Sequence, residues 1–413
     1  MSVPFGISSF NRQLPEIDGV PFEVASSAGA RLVASDGRDY VDYCMTLGAN
    51  LLGHADPDVV EEAIAALRNG SMPGFRHAAE QRAGAALARI GGRLDNVTFV
   101  TTGSEAIHLA CQIARARTGR RLIAKAVGGY NGWFEDQRIG MSGTGEAADR
   151  RERAQRFDMT IFRVNEPDDI DQLFAAHGDE LAAVLIEPML GNGGLVPNTA
   201  FLKHLRALAD RHGVMVVADE ILVGLRDGLH LMSEKHGLRP DLATMGKAIG
   251  TGLPVAAVLG TDDAFAPILD GSLRRYGTYH GNPLVTRAVC RTLETLAQRD
   301  YASLFAYGAR LRRALVDAFA AEGVEVATSG LDSVFSLWFA PDAPATYDQG
   351  VARLREKAAD AFHIAMRRHG VMVLPRSWSR MFVSFAHGEA EMVRTLEALP
   401  PAAAAVARTL RNA

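Results

Sequence analysis

Asp241-Leu-Ala-Thr-Met-Gly-Lys-Ala-Ile-Gly-Thr-Gly-Leu-Pro254 sets one lysine, Lys247, in a glycine-rich turn that follows an apolar run. Upstream, a second apolar run, Val214-Met-Val-Val-Ala-Asp219, closes on an aspartate. Taken singly, a lysine between glycines is an ordinary loop residue and an aspartate after a strand is an ordinary turn or cap. Taken together they supply an amine that can hold an aldehyde as an imine, and a carboxylate that can keep a pyridine nitrogen protonated.

Working outward, Val97-Thr-Phe-Val-Thr-Thr-Gly-Ser-Glu-Ala106 reads as a β-branched strand, a glycine turn and a helix start, with Ser104 as the expected N-cap. The helix is expected to run through Ile107, Ala110, Cys111 and Ala114 to Gly119, with its free N–H groups forming a seat for an anion. Gly128-Gly-Tyr-Asn-Gly-Trp133 is a glycine-flanked aromatic turn in which Tyr130 can be presented to a flat ligand, while Trp133 packs. Val184-Leu-Ile-Glu-Pro-Met-Leu-Gly-Asn-Gly-Gly194 is a buried strand breaking into a polar loop at Glu187, and Arg275-Tyr-Gly-Thr-Tyr-His-Gly-Asn-Pro283 is a second loop rich in hydrogen-bonding groups. An amine, an acid, an anion seat and an aromatic face together point to pyridoxal phosphate. A dinucleotide reading of Gly246, Gly250 and Gly252 lacks the strand, the acidic residue and the spacing such a fingerprint needs.

Alternating β-branched runs and helical patterns from about residue 97 to 260 predict βα units, hence a mostly parallel sheet covered on both faces by helices. Open α/β sheets bind ligands beyond the carboxyl ends of their strands, so residues far apart in the chain can converge there. A long helical stretch from about 284 to 322 is expected to lead out of this large domain, and the Pro400 to Val406 tract reads as a helix start. The expected organisation is a large domain over 53–300 and a smaller α+β domain over 301–413, joined by an N-terminal segment, 1–52.

Six segments in one order resemble the class III aminotransferases of PLP fold type I, and among them the glutamate-1-semialdehyde aminomutase-like branch. They are Thr101-Thr-Gly-Ser-Glu-Ala, Gly129-Tyr-Asn-Gly, Ile186-Glu-Pro-Met-Leu-Gly-Asn, Asp219-Glu-Ile-Leu-Val-Gly-Leu-Arg226, Gly246-Lys-Ala-Ile-Gly and Gly277-Thr-Tyr-His-Gly-Asn-Pro. Gly29 to Asp42 and Leu51-Leu-Gly-His54 extend the likeness towards the N-terminus. The resemblance implies that Lys247 holds the cofactor and carries the proton, and that Asp219 pairs with the ring nitrogen. It implies that Gly103 and Ser104 donate to the phosphate, Tyr130 stacks on the ring, and Asn192 approaches the ring hydroxyl. Thr278 would reach a phosphate across a homodimer interface, with Glu187 and Glu220 supporting the site from behind.

The departures bear on activity. Asn131 stands where the family has histidine, Leu222 where many members carry Gln or Met, and Leu47 where the aminomutases place a bulky aromatic. Ser379 falls where they place a glutamate, which argues against an ordinary aminomutase. Ser9 and Arg12 match an N-terminal Ser-x-x-Arg that lies at the active-site mouth in aminomutase-like members, and Arg76 and His77 would line the same mouth. Arg376 and Arg380 bracket Trp378 beside the missing glutamate, and guanidinium forks suit carboxylates. Arg226 is expected to brace its own loop. The expected substrate side therefore comprises Ser9, Arg12, Arg76, Arg376 and Ser379, and the expected activity is transfer of an amino group between an amine or amino acid and a keto compound, with an anionic substrate. An intramolecular aminomutase or racemase is the alternative, and a non-catalytic ligand-binding domain a third.

Composition agrees with a soluble metabolic enzyme of 413 residues, 48% hydrophobic and 22% charged. A net charge of −4 and the absence of a face-sized basic run argue against a nucleic-acid or membrane-surface partner, and the runs at Arg150 to Arg153 and Arg310 to Arg313 read as solvated faces. Cys44, Cys111 and Cys290 form no Cys-x-x-Cys pair and read as small buried hydrophobes, with no disulfide set and no metal site. No basic leader or 18-residue apolar span is seen, so the cytoplasm is the expected compartment.

Overall fold

A computed structural model describes residues 2–141 and 157–412; the Arg150 to Arg153 run lies outside them. Its centre is a seven-stranded sheet in the order Asn96–Val100, Ala256–Gly260, Leu242–Met245, Met215–Asp219, Leu181–Ile186, Leu122–Ala126, Met159–Phe162. Ala256–Gly260 runs antiparallel to both neighbours and every other pair is parallel, which bears out the mostly parallel α/β reading.

The reason is visible in Leu181–Ile186, where every residue is buried and apolar with no polar alternation. A strand of that kind must be covered on both faces. Val184 and Ile186 point into one hydrophobic cluster together with Val216 and Ala218, while Ala183 and Leu185 join Met215 and Val217 in the other. Helix Gly103–Thr118 covers the second face, and helix Thr199–His212 contributes Leu202 and Leu205 to the first.

Outside this sheet, Val24–Ala28, Arg31–Ala34 and Asp39–Asp42 form an antiparallel meander that Val371–Met372 extends in parallel. A third sheet pairs Ala327–Leu331, Val334–Trp338 and Arg380–Phe382. Arg226 pins these parts together. It is fully buried and donates to Gly48 O (2.7 Å), Ser333 O (3.1 Å) and Val383 O (3.2 Å), so it bridges three distant segments instead of bracing only its own loop.

Four local expectations are corrected, the first being Trp133, which is 69% exposed and does not pack into the core. The N-cap of helix Gly103–Thr118 is Thr102, not Ser104: Glu105 N donates to Thr102 Oγ1 (3.3 Å) and Thr102 N donates to Glu105 Oε2 (2.7 Å), a reciprocal capping box. The stretch from 284 to 322 is two helices, Pro283–Leu296 and Tyr301–Ala321, because Asp300 caps the second by accepting from Ala302 N (2.9 Å). Pro400 and Pro401 lie inside helix Glu389–Arg411, whose start is marked by Gly388 N donating to Glu391 Oε2 (3.0 Å). Met392, Leu399, Ala402 and Val406 are buried along it, and this packing outweighs the donors that the prolines remove. Among the described residues no helix is long and apolar enough to cross a membrane.

Candidate active site

Asp219 ends its strand at the carboxyl edge of the sheet, 3% exposed, where the chain must turn away. Asn131 Nδ2 donates to its Oδ2 (2.8 Å), and Ile221 N (3.0 Å) and Thr244 Oγ1 (3.2 Å) donate to its Oδ1. Burial pushes this carboxyl up, against the Asn131 and Ile221 hydrogen bonds and the attraction of Lys247. Thr244 had not been singled out in the sequence; its signal is a hydroxyl in an otherwise apolar strand, directly opposite Asp219 in the parallel register.

Lys247 opens the single turn Lys247–Ile249 just after strand Leu242–Met245, with φ at 45° in the left-handed region. A non-glycine residue there costs about 1–2 kcal/mol, a strain the surrounding structure must hold. Burial pulls the amine down to about 8, with Asp219 opposing and the Arg380 charge adding to the fall. No residue among those described hydrogen-bonds its Nζ. The result is a shielded amine, held less tightly protonated than an ordinary lysine, next to a hydrogen-bonded carboxylate.

The N-terminus of helix Gly103–Thr118 faces the same edge. Gly103 is required by close approach, since a Cβ there would meet Ile221 Cδ1 at 2.8 Å. Ser104 is buried in the first turn; its Oγ accepts from Trp133 N (3.3 Å) and its carbonyl from Gln137 Nε2 (2.7 Å), so the helix start and the aromatic turn are tied to each other. Tyr130 is 42% exposed, and its N–H donates to Glu187 Oε1 (2.8 Å). Glu187 Oε2 accepts from Gly191 N (2.7 Å), so one buried carboxylate joins the Tyr130 turn to the Asn192 loop; burial and the neighbouring Asp219 push it up to about 7. Asn192 donates through Nδ2 to Gly128 O (2.9 Å). Glu220 lies behind, accepting from Ser233 N (2.7 Å) and Met232 N (3.2 Å).

The expected substrate residues are distributed differently. Arg376 lies over the Phe10 ring (4.9 Å) and donates to Asn11 Oδ1 (3.2 Å), so it fastens the N-terminal segment. Ser9, Arg12 and Arg76 are exposed, and Thr278 sits in an exposed loop. His77 caps helix Ala78–Gly91 and engages Gly281 O (2.8 Å). Ser379 is partly buried, its N–H donating to Arg376 O (2.9 Å). Arg380, which with Arg376 brackets Trp378 among the expected mouth arginines, is partly buried, and its charge acts on both Lys247 and Glu187. Its Nη1 donates to Gly191 O and to Asn192 Oδ1 (3.2 Å), its Nε is shielded without a partner, and no described carboxylate forms an ion pair with it. Of the cysteines Cys111 is buried, its thiol pushed up to about 12, and Cys44 and Cys290 are half-buried; all three are free. Among the described residues no group of three or more His, Cys, Asp or Glu side chains could hold a metal ion.

Residues 15–384 match the family model described as aminotransferase class-III. The chain belongs to that family. It is 33% identical to a glutamate-1-semialdehyde 2,1-aminomutase of Thermoplasma acidophilum, over 96% of this chain and 94% of the relative. To the enzyme of the same name from Thermomicrobium roseum it is 34% identical, over 98% and 96%. Among solved structures, an omega-transaminase from Sphaerobacter thermophilus superposes with a TM-score of 0.87 at 27% identity, covering 95% of this chain and 92% of that one. A β-phenylalanine aminotransferase from Variovorax paradoxus gives 0.83 at 26%, covering 93% and 87%. These likenesses bear out the class III resemblance and PLP fold type I. Within this class III chain, Asn131 keeps a donor on Asp219 despite replacing the histidine. Leu222 packs with Met45, Met189 and Phe382. Leu47 lies in a run of left-handed backbone from Met45 to Gly48, whose end Arg226 holds.

Proposed function

We propose that this class III chain is a pyridoxal phosphate-dependent aminotransferase that moves an amino group between a carboxylate-bearing amine or amino acid and a keto compound. When bound, the cofactor supplies an aldehyde for condensation with amines and a ring that accepts the electrons released at the reacting carbon. The residues fit it: a shielded Lys247 amine with no hydrogen bond among the described residues, a buried Asp219 carboxylate, and a helix N-terminus that only glycine lets approach. Lys247 holds the aldehyde and then, as a free amine that gains and loses a proton near neutrality, carries the proton between carbons. Asp219 keeps the ring nitrogen protonated, and Asn131 and Thr244 fix the orientation in which it does so. Gly103 and Ser104 donate to the phosphate, Tyr130 covers the ring, and Asn192 meets the ring hydroxyl. Thr278 completes the phosphate seat of a second copy in a homodimer; Tyr276 and Tyr279 beside it are 78% and 65% exposed, aromatic surface of the kind subunit interfaces bury.

The observation that carries the preference for an anion is Arg380. A partly buried guanidinium beside Asn192, with no ion-pair partner among the described residues, is completed by a carboxylate from outside. Ser9, Arg12, Arg76, Arg376 and Ser379 then shape the mouth around it. The names of the two relatives support a second reading, an intramolecular aminomutase that returns the nitrogen to the same skeleton. Ser379 in place of the aminomutase glutamate weighs against it. Mixing the holoenzyme with a panel of amines and amino acids, without any keto acid, tests the choice. Stoichiometric conversion of the cofactor absorbance with release of a keto product supports transamination, and isomerisation of the substrate with no keto product refutes it.

A further inference from the structure

Lys125 is the fourth residue of the strand Leu122–Ala126, flanked by alanines and completely buried. Enclosing an ammonium costs several kcal/mol even after relaxation, and an ion pair is the usual compensation. None of the described carboxylates pairs with it directly. Its Nζ instead donates to two backbone carbonyls, Gly129 O (3.3 Å) and Gln137 O (2.7 Å).

Those two carbonyls bracket the turn that carries Tyr130 and Asn131. Gln137 in turn donates from Nε2 to Ser104 O (2.7 Å) and accepts at Oε1 from Phe134 N (3.3 Å). One ammonium therefore fastens the aromatic turn to the sheet and, through Gln137, to the first turn of helix Gly103–Thr118. The turn has little freedom besides: Gly132, at φ 120°, has the Gln137 amide where a Cβ would stand.

The charge also has a direction. Burial pulls Lys125 down to about 8, which leaves it cationic at neutral pH. The groups that act against this fall are Glu187 beyond the end of Leu181–Ile186, Asp219 at the end of Met215–Asp219, Cys111 on helix Gly103–Thr118 and Asp136 in the aromatic turn. Glu187 and Asp219 are the two largest of these and are the buried carboxylates of the candidate site. On the proposed reading Lys247 is taken up by the cofactor aldehyde, so Lys125 is the lysine left as a cation acting on those carboxylates.

We propose that Lys125 is a positioning residue of the reaction: it clamps the turn that carries Tyr130 and Asn131, and it supplies a standing positive charge behind Asp219 and Glu187. This rests on the pyridoxal phosphate reading of Lys247 and Asp219. The test uses purified holoenzyme of wild type, Lys125→Met, Lys125→Gln and Lys125→Arg. It reads the pH midpoint of the bound cofactor's visible absorbance change, the cofactor dissociation constant, and folding by circular dichroism.

Removing a nearby cation favours the protonated chromophore, so Lys125→Met and Lys125→Gln are expected to raise the midpoint by about one unit, and Lys125→Arg to restore it. Lys125→Met also loses the clamp and binds the cofactor about tenfold more weakly, whereas Lys125→Gln keeps a donor for Gln137 and loses less. A purely structural lysine would change folding stability without moving the midpoint. Should Lys125→Met not fold, Lys125→Gln carries the test alone. A wild-type protein with no visible cofactor band overturns the reading beneath the proposal. A wild-type band whose midpoint stays put in the folded neutral variants overturns the proposal itself.

Discussion

Replacing Arg380 by glutamine removes the enclosed guanidinium but keeps an amide near Gly191 O and Asn192 Oδ1. The magnitude follows from two contributions. A charge-assisted hydrogen bond to a substrate carboxylate is worth about 1.5–3 kcal/mol, a factor of roughly 10–150 in kcat/KM. A second, general loss arises because Arg380 also attracts Glu187, the carboxylate that joins the Tyr130 turn to the Asn192 loop, and depresses the Lys247 amine. That loss falls on every substrate alike. The assay is therefore a ratio: kcat/KM for an amino acid over kcat/KM for its ester, in wild type and in Arg380→Gln. The acid is expected to lose the full factor and the ester only the general part, so the ratio falls at least tenfold. Equal losses for acid and ester would refute the reasoning and make Arg380 a brace for the Asn192 loop. The same pair of substrates applied to Arg376→Ala separates the two arginines, since Arg376 is committed to Phe10 and Asn11 and its loss should leave the ratio unchanged.

Borohydride reduction of the holoenzyme followed by peptide mapping is expected to label Lys247, and Lys247→Ala to bind cofactor without a reducible link; label on Lys125 would contradict the assignment. Asp219→Asn is expected to lower turnover by a factor on the order of a thousand or more, because a neutral pyridine accepts electrons poorly, and steady-state rates near wild type would rule out its role. Glu220 is pushed by burial from 4.5 to about 7, so the folded chain holds this proton more tightly than the unfolded one does. Its contribution to stability is thus complete below pH 4.5 and is lost as pH rises through about 7, and Glu220→Gln should flatten that part of the unfolding-midpoint profile of the cofactor-free protein. Sedimentation at assay concentration is expected to find at least a dimer; a fully active monomer would contradict the role given to Thr278.

The legible parts of this chain were those whose cause is local. An apolar run without alternation must be a two-sided strand, and this carried Leu181–Ile186 and Met215–Asp219 into the centre of the sheet. Local chemistry also misled when two candidates lay side by side. Thr102 and Ser104 both precede the helix, and only the reach of Glu105 back to the Thr102 N–H decides which one caps. Pro400 and Pro401 look like a helix start to a reading confined to neighbours. Their helix continues because its buried face is filled by residues from the rest of the chain.

By itself the sequence determined that an amine and an acid stand at two strand ends of one mostly parallel sheet, because strand ends, glycine turns and apolar runs follow from neighbouring residues. It could not rank the arginines. Arg12, Arg76, Arg376 and Arg380 are alike as letters, and they differ only in which distant groups close around them: solvent for the first two, Phe10 and Asn11 for Arg376, Gly191 and Asn192 for Arg380. Lys125 is the same case in a strand, where burial beside Glu187 and Asp219 depends on the lateral order of strands. Desolvation and charge proximity are properties of the assembled surroundings. They turn an ordinary cation into an enclosed one, and only the tertiary structure supplies them.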